Sequence, residues 1–466
     1  MNETKRLRVE ARELFKLATP LFIAQLAQMG TGVVDTIMAG RYSSIDLAAI
    51  SIGYNIWLPI YLVSLGIMIA VTSIVAQHYG AGRVEAIRRL LPQAFWVALV
   101  IGFVCAPLCY FPGPILDLLS LDSETFSRSE GYLKAVAFGL PGAALFQALR
   151  CHVQGVGIIR PFAIASVIGF FANIPLNYAF IYGHWGIPEM GAPGCGWATA
   201  ISMWLGPLLI VFYATRSKAL KEYMPSFTWH PPQRAPIMEI LSVGAPIGAT
   251  FFFEMAVFSV IGLMIASVGN THVSAHQIAI NVYDVLYMPL VAIGAAMATR
   301  VGHSIGREDM VGVKASIHCA MLISVLFCIA IAAILWQTPG LVSEVYTDDK
   351  PIQTLAIILL RLNILFVVFD TFAVVASFGL RAFKDTRFPF LVMTIAYWMF
   401  ALPLGYQLGM TDSQSSLHGA VGFWWAMIGG VGVAALLNGW RLKRWLSRPL
   451  PPQDDHSEDN PTPFAA

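Results

Sequence analysis

Residues 17–40 read LATPLFIAQLAQMGTGVVDTIMAG, and residues 243–266 read VGAPIGATFFFEMAVFSVIGLMIA. At 1.5 Å of rise per residue, either stretch crosses the roughly 30 Å hydrocarbon core of a bilayer as a single helix. The two stretches also lie on one another. A shift of 226 sets Pro246 over Pro20 and goes on to pair Ala49 with Ala275, Val75 with Val301, Gly80 with Gly306 and Gly196-Trp197 with Gly422-Phe423. A shift of 228 pairs Pro161 with Pro389 and Pro175-Leu176 with Pro403-Leu404, followed by Tyr178 and Tyr406. Similarity at a fixed period means that one structural unit is used twice.

The rest of the chain has the same character. Of its 466 residues 57% are hydrophobic and 12% charged, about half the charge of a soluble domain. That composition excludes a soluble enzyme and predicts a polytopic membrane protein. The N-terminus is a basic amphipathic lead, without the short apolar region and small-residue cleavage site of a secretory signal. Apolar runs bounded by charge, Gly or Pro fall at 17–40, 46–78, 93–118, 131–154, 161–182, 195–214, 238–267, 272–303, 315–337, 352–380, 388–409 and 419–440, twelve spans in all. Lys and Arg concentrate in alternate connections, among them Arg83, Arg88 and Arg89; Lys218 and Lys221; and Arg381, Lys384 and Arg387. The opposite side holds only Arg41, Arg128, Lys134 and Lys350. Cytoplasmic connections carry the basic excess, which places both termini in the cytoplasm.

The expected fold is therefore an all-α integral membrane protein of twelve transmembrane helices in two six-helix lobes. An even number of spans per unit makes the repeats parallel, related by a pseudo-two-fold axis along the membrane normal. The reading divides the chain into an N-lobe at 1–214, a cytoplasmic linker at 215–237, a C-lobe at 238–446 and a disordered polar tail at 447–466.

Three carboxylates interrupt the apolar runs: Asp35, Glu254 and Asp370. An unpaired charge in a bilayer costs several kcal/mol, so such residues are functional candidates by default. Gln25, Gln28, Gly32 and Asp35 share one face of the first helix. With Asn173 and Asn177 one turn apart around Pro175, and Thr199 in the sixth span, Asp35 can form an oxygen-rich cage for a small hard cation such as Na⁺, or a hydrogen-bonded home for a proton. The competing reading is that these Asn and Thr side chains only bridge helices.

In the second half, Glu254 occupies the slot that Gln28 holds in the first. Phe251, Glu254 and Phe258 share a face, an acid flanked by rings that can receive an apolar cation, although phenylalanines in such a place also simply pack a core. Gln277, Asn281 and Asp284 form a further polar stripe on the eighth span. His272 and His276 have helical metal-ligand spacing but lack the HExxH glutamate. No Gly-Lys dipeptide occurs, hence no Walker A loop, and Gly429, Gly430 and Gly432 read as close helix packing. The six scattered cysteines form no CxxC pair and read as inert thiols.

At this level of detail the chain resembles the multidrug and toxic compound extrusion (MATE) family, in its NorM-type bacterial branch, over about residues 10–445. The resemblance rests on residues 17–40, NIWLP at 55–59, NIPLNYAFIYGHWGIPEMGAPGCGWATA at 173–200, FFFEM at 251–255, AHQIAIN at 275–281, ATRVGHSIG at 298–306 and GLRAFKDT at 379–386. It implies a secondary antiporter of the bacterial inner membrane that expels cationic, amphiphilic drugs in exchange for Na⁺ or H⁺, with no cofactor. Its expected partners are organic cations and membrane lipids, not nucleic acid, and it is expected to be monomeric. By resemblance, Asp35, Asn173, Asn177 and Thr199 match the family's first cation or proton cluster, and Glu254 and Asp370 its second-lobe acids. Asp348 and Asp349 fall in the loop where relatives place acids above the drug cavity. Some Na⁺-coupled relatives carry a tyrosine four residues before the tenth-span acid, where this chain has Phe366. The alternatives are a lipid-linked oligosaccharide flippase, which should need a basic, phosphate-binding cavity, and a membrane enzyme, which should need a nucleophile and base or a metal set.

Overall fold

The computed structural model describes residues 3–225, 230–411 and 415–450. The predicted linker therefore lacks residues 226–229 from this description, and residues 451–466 of the predicted tail lie outside it. Among the described residues 12 helices are long and apolar enough to cross a membrane. They are α1 (Glu3–Tyr42), α2 (Ser44–Gly80), α3 (Val84–Tyr110), α4 (Ser123–Val156), α5 (Arg160–Tyr182) and α6 (Ala192–Arg216), then α7 (Arg234–Val268), α8 (Asn270–Gly306), α9 (Met310–Gln337), α10 (Lys350–Ala382), α11 (Arg387–Met410) and α12 (Ala420–Leu446). Short helices at Gly113–Asp117, Lys218–Lys221 and Pro339–Tyr346 join some of them. The fold is all-α, as the apolar runs require: in hydrocarbon every backbone N–H and C=O must be satisfied within the segment.

Several helices outrun the apolar cores that announced them. α1 begins at Glu3 and α3 at Val84, because a polar lead continues a helix at no desolvation cost once it leaves the hydrocarbon. The third run, by contrast, breaks at Phe111 and resumes as the short helix Gly113–Asp117, with Pro112 and Gly113 at the break. Prolines inside the spans, such as Pro20, Pro141, Pro175 and Pro246, are tolerated where neighbouring helices satisfy the freed carbonyls. In α11 the register changes: Ile395–Ala401 is a π-turn, just before Pro403, whose missing N–H disfavours a regular α ladder there. At the start of α4, Asp122 accepts from the Thr125 N–H at 3.0 Å, a helix cap. That bond holds its carboxyl below the usual carboxylate range, so the cap is kept above that range and lost as pH falls through the lowered value.

The chain forms two compact units, each with its own core. One comprises residues 19–248 and 302–308. Its centre is α4, packed by α2, α3 and α6, with Ile74, Leu133, Val136 and Cys195 fully buried. Glycines set the close approaches: a Cβ on Gly66 would lie 2.5 Å from the Gly248 Cα. The other unit takes residues 1–18, 249–301 and 309–449. There α10 packs on α9 and α12, around a core that includes Val257, Ile261, Phe366, Phe423 and Trp424.

The first turns of α1 belong to this second unit through charge. Glu10, 6% exposed, accepts from Arg300 Nη2 at 2.6 Å and Nε at 3.3 Å, and from the Ser316 hydroxyl. Arg6 adds an ion pair to Asp309 at 2.5 Å.

Candidate functional site

In the first unit α1, α5 and α6 bring Asp35, Asn173, Asn177 and Thr199 together. Asn177 Nδ2 donates to Asp35 Oδ1 at 2.5 Å and to Asn173 Oδ1 at 2.8 Å. The Thr199 hydroxyl reaches Asp35 Oδ2 at 3.4 Å. Both asparagines are fully buried and the other two side chains nearly so. The four-residue spacing of Asn173 and Asn177 puts both amides on one face of α5, which turns that face away from lipid. Two polar atoms in this shell have no hydrogen-bond partner, Asn177 Oδ1 and Asn173 Nδ2. A buried carbonyl oxygen left open beside a carboxylate has the donor chemistry a hard cation takes.

The face read along α1 does not act as one stripe. Asp35 turns into the shell, whereas Gln28 is exposed and Gly32 has open space where a Cβ would be. A fifth member comes from a residue read as an inert thiol. Cys195, buried on α6 one turn before Thr199, lies within electrostatic reach of Asp35. Its four-residue spacing to Thr199 was the only available signal.

In the second unit Asp370 is 4% exposed on α10, and the Tyr283 hydroxyl of α8 donates to its Oδ2 at 3.0 Å. Glu254 on α7 is half-buried and lies within electrostatic reach of Asp370 and of Arg381. It lines a crevice with Thr250, Phe253, Thr394, Tyr397 and Trp398. Arg381, grouped by sequence with the cytoplasmic basic residues, instead has a buried guanidinium, 4.6 Å from the Phe378 ring and 5.5 Å from that of Phe251. The aromatic face around Glu254 is thus divided: Phe251 serves Arg381, and Phe258 packs on Tyr397 at 5.6 Å.

Gln277 and Asp284 on α8 are both exposed, and Gln277 donates to Asn281 at 3.1 Å. Asp348 and Asp349 are exposed at the start of α10, roughly 30 Å along the helix from Asp370 at 1.5 Å per residue, so the structure does not join them to that acid. Tyr283 was missed in the sequence because a tyrosine in an apolar run carries no mark of its partner. It packs edge-on against Phe366 at 5.1 Å, so the hydroxyl absent at position 366 is supplied to Asp370 from a different helix.

The repeat and the fold have counterparts among known proteins. The MatE family model matches residues 20–179 and 246–407, two copies whose starts are the Pro20 and Pro246 of the internal repeat. The chain is 38% identical to the multidrug resistance protein NorM of Photobacterium profundum, covering 94% of this chain and 96% of that protein. It is also 38% identical to the multidrug resistance protein PmpM of Pseudomonas aeruginosa, over 94% and 92% of the two chains. In fold it matches a multidrug resistance MATE family transporter of the MOP superfamily in an outward-facing conformation, with a TM-score of 0.85 at 18% identity over 96% of this chain and 98% of that one. The eukaryotic MATE transporter AtDTX14 gives 0.83 at 19% identity, over 95% and 99%. The chain belongs to the MatE family, among its NorM-type MATE transporters.

Proposed function

We propose that this protein is a secondary antiporter that exports cationic, amphiphilic drugs and toxic organic compounds in exchange for Na⁺ or H⁺ by alternating access. The names of its relatives support drug export. The observation that carries the exchange is the buried Asp35, held by Asn177 and Thr199 with the Asn177 carbonyl oxygen left free. Such a site takes a small cation through oxygen ligands, or a proton on the carboxyl, and either neutralises a charge that is costly in the membrane. Asp35, Asn173, Asn177 and Thr199 form the coupling site in this reading, and Na⁺ is written as transported substrate, not resident metal. Glu254 and Asp370, with the rings around them, serve the second unit as acids for cargo and coupling. In the second unit Phe251, Phe258, Gln277 and Asp284 extend the cargo surface, with Asp348 and Asp349 at its external approach, and in the first unit Gln28 serves cargo. The expected setting is a bacterial inner membrane, with both termini cytoplasmic.

Export of a monovalent cation against an inside-negative potential costs about 2.3 kcal/mol per 100 mV, so the entering ion must offset that and the drug gradient. Dye efflux from proteoliposomes under separately imposed Na⁺ and pH gradients tests the reading. One gradient should drive efflux, and Asp35→Asn should abolish it. Full gradient-driven efflux by Asp35→Asn would sink the assignment of the coupling site.

A further inference from the structure

Two side-chain bonds tie α8 to α10 inside the second unit. Asn363 Nδ2 donates to the Ala279 carbonyl at 2.9 Å, and one turn along α8 the Tyr283 hydroxyl donates to Asp370 Oδ2 at 3.0 Å. The two ties differ in kind. Asn363 is fully buried and joins a neutral amide to a backbone carbonyl, so its strength does not depend on any charge. The Tyr283 tie ends on a carboxyl group, and a hydrogen bond to an ionised acceptor is about twice as strong as one between neutral groups.

The ring of Tyr283 is held on two sides, by Phe366 at 5.1 Å and by Tyr287 at 5.4 Å. Phe366 is in turn backed by Trp424 at 5.9 Å. Packing therefore fixes the ring and leaves the hydroxyl end to respond. The hydroxyl of Thr371, the next residue in the chain, is committed to the Val367 carbonyl at 2.8 Å. The titratable groups around Asp370 are Glu254 from α7, Tyr283 and Tyr287 from α8, Cys328 from α9 and Tyr397 from α11, while Arg381, further along α10, faces Glu254 and Tyr287.

We infer that Tyr283 is the positioning residue through which the charge on Asp370 is felt by α8, the helix that carries Gln277 and Asp284. The inference rests on the proposed antiport reading and assigns its second-unit coupling to one bond. A proton or cation arriving at Asp370 weakens the claim of the carboxyl on the Tyr283 hydroxyl. α8 then keeps its Asn363 tie as a pivot and loses the second tie, which alters the presentation of Gln277 and Asp284 to an organic cation. By linkage, cargo bound on α8 changes the ion affinity of Asp370 by the same factor.

The test measures ethidium affinity of the full-length protein in lipid nanodiscs on the acid and the alkaline side of neutrality, with and without Na⁺. Wild-type affinity should fall at least about fivefold when Asp370 is neutralised by proton or cation, within the usual range of coupling between sites. Tyr283→Phe keeps the ring and removes the tie, so its response across these conditions should shrink to what Asp35 and Glu254 leave, and should agree with that of Asp370→Asn within about twofold, the scatter of uncoupled sites. Asp370→Asn keeps an acceptor for Tyr283 but removes the charge, and should shrink the response in the same way. Phe366→Tyr in the Tyr283→Phe background offers Asp370 a hydroxyl from its own helix and should not restore the response, because it does not link α8 to α10. A wild-type response in Tyr283→Phe with dye binding intact, or its restoration by Phe366→Tyr, overturns this inference alone. Failure of the wild-type protein to bind the dye overturns the proposed function and this inference with it.

Discussion

Replacing Asn177 by leucine removes the amide that organises the Asp35 shell while keeping a side chain branched at the same carbon. Two bonds go at once, at 2.5 Å to Asp35 Oδ1 and at 2.8 Å to Asn173 Oδ1, together with the unpartnered Asn177 Oδ1. A hydrogen bond to an ionised group contributes about 1.5–3 kcal/mol, which corresponds to roughly ten- to hundredfold in an equilibrium constant. Asn177→Leu should therefore raise the half-saturating concentration of the coupling cation by about that factor. The Thr199 bond is longer, at 3.4 Å, beyond the usual range for a hydroxyl donor. Thr199→Ala should accordingly change the same quantity by less than about fivefold. Both are read from initial rates of dye efflux in proteoliposomes as the driving cation is titrated. The ranking is the sharp part of the expectation. A Thr199→Ala effect equal to or larger than that of Asn177→Leu, or an unchanged half-saturating concentration in Asn177→Leu, would refute the reasoning that bond geometry at Asp35 sets cation affinity.

Two further outcomes concern stability. Glu10→Ala strips the bidentate carboxylate from Arg300, whose side chain is 18% exposed, and breaking a buried pair from one side costs about 3–5 kcal/mol. The melting temperature in detergent should fall, and Glu10→Gln should lose less because its amide oxygen still accepts from Arg300 and Ser316; equal melting of Glu10→Ala and wild type would rule this out. Gly66→Val forces a side chain against the Gly248 backbone and should lower the melting point by an amount equivalent to about 1–3 kcal/mol. Gly32→Ala, with open space around its Cβ, should melt like the wild type; a like effect from both substitutions would argue against close helix packing as the cause.

How much of this was legible in the sequence depended on the range of the interaction. Pro20 over Pro246 announces the repeat, and the two copies of the MatE family model begin at those residues. Asp35, Asn173, Asn177 and Thr199 could be grouped because a polar side chain within a long apolar run has few places to go, and the structure does unite them. Glu10 gave no such signal. It lies in a polar lead where carboxylates are ordinary, and only the fold shows that it is buried against Arg300 and Ser316. Arg381 misled for the same reason in reverse: a basic residue at the end of a span reads as a cytoplasmic flank, yet its guanidinium is enclosed by Phe251 and Phe378.

By itself the sequence determined that this is a helical membrane protein, built twice over, with acids where hydrocarbon should be. Those are consequences of transfer free energy, which acts on each segment alone and so can be read from composition and length. Only the tertiary structure decided which hydroxyl serves which acid. Asp370 takes its donor from Tyr283, 87 residues away in the chain, and not from position 366 on its own helix. Hydrogen bonds are satisfied by what packing brings within about 3 Å, and in a bundle that is set by helix neighbours that sequence order does not specify.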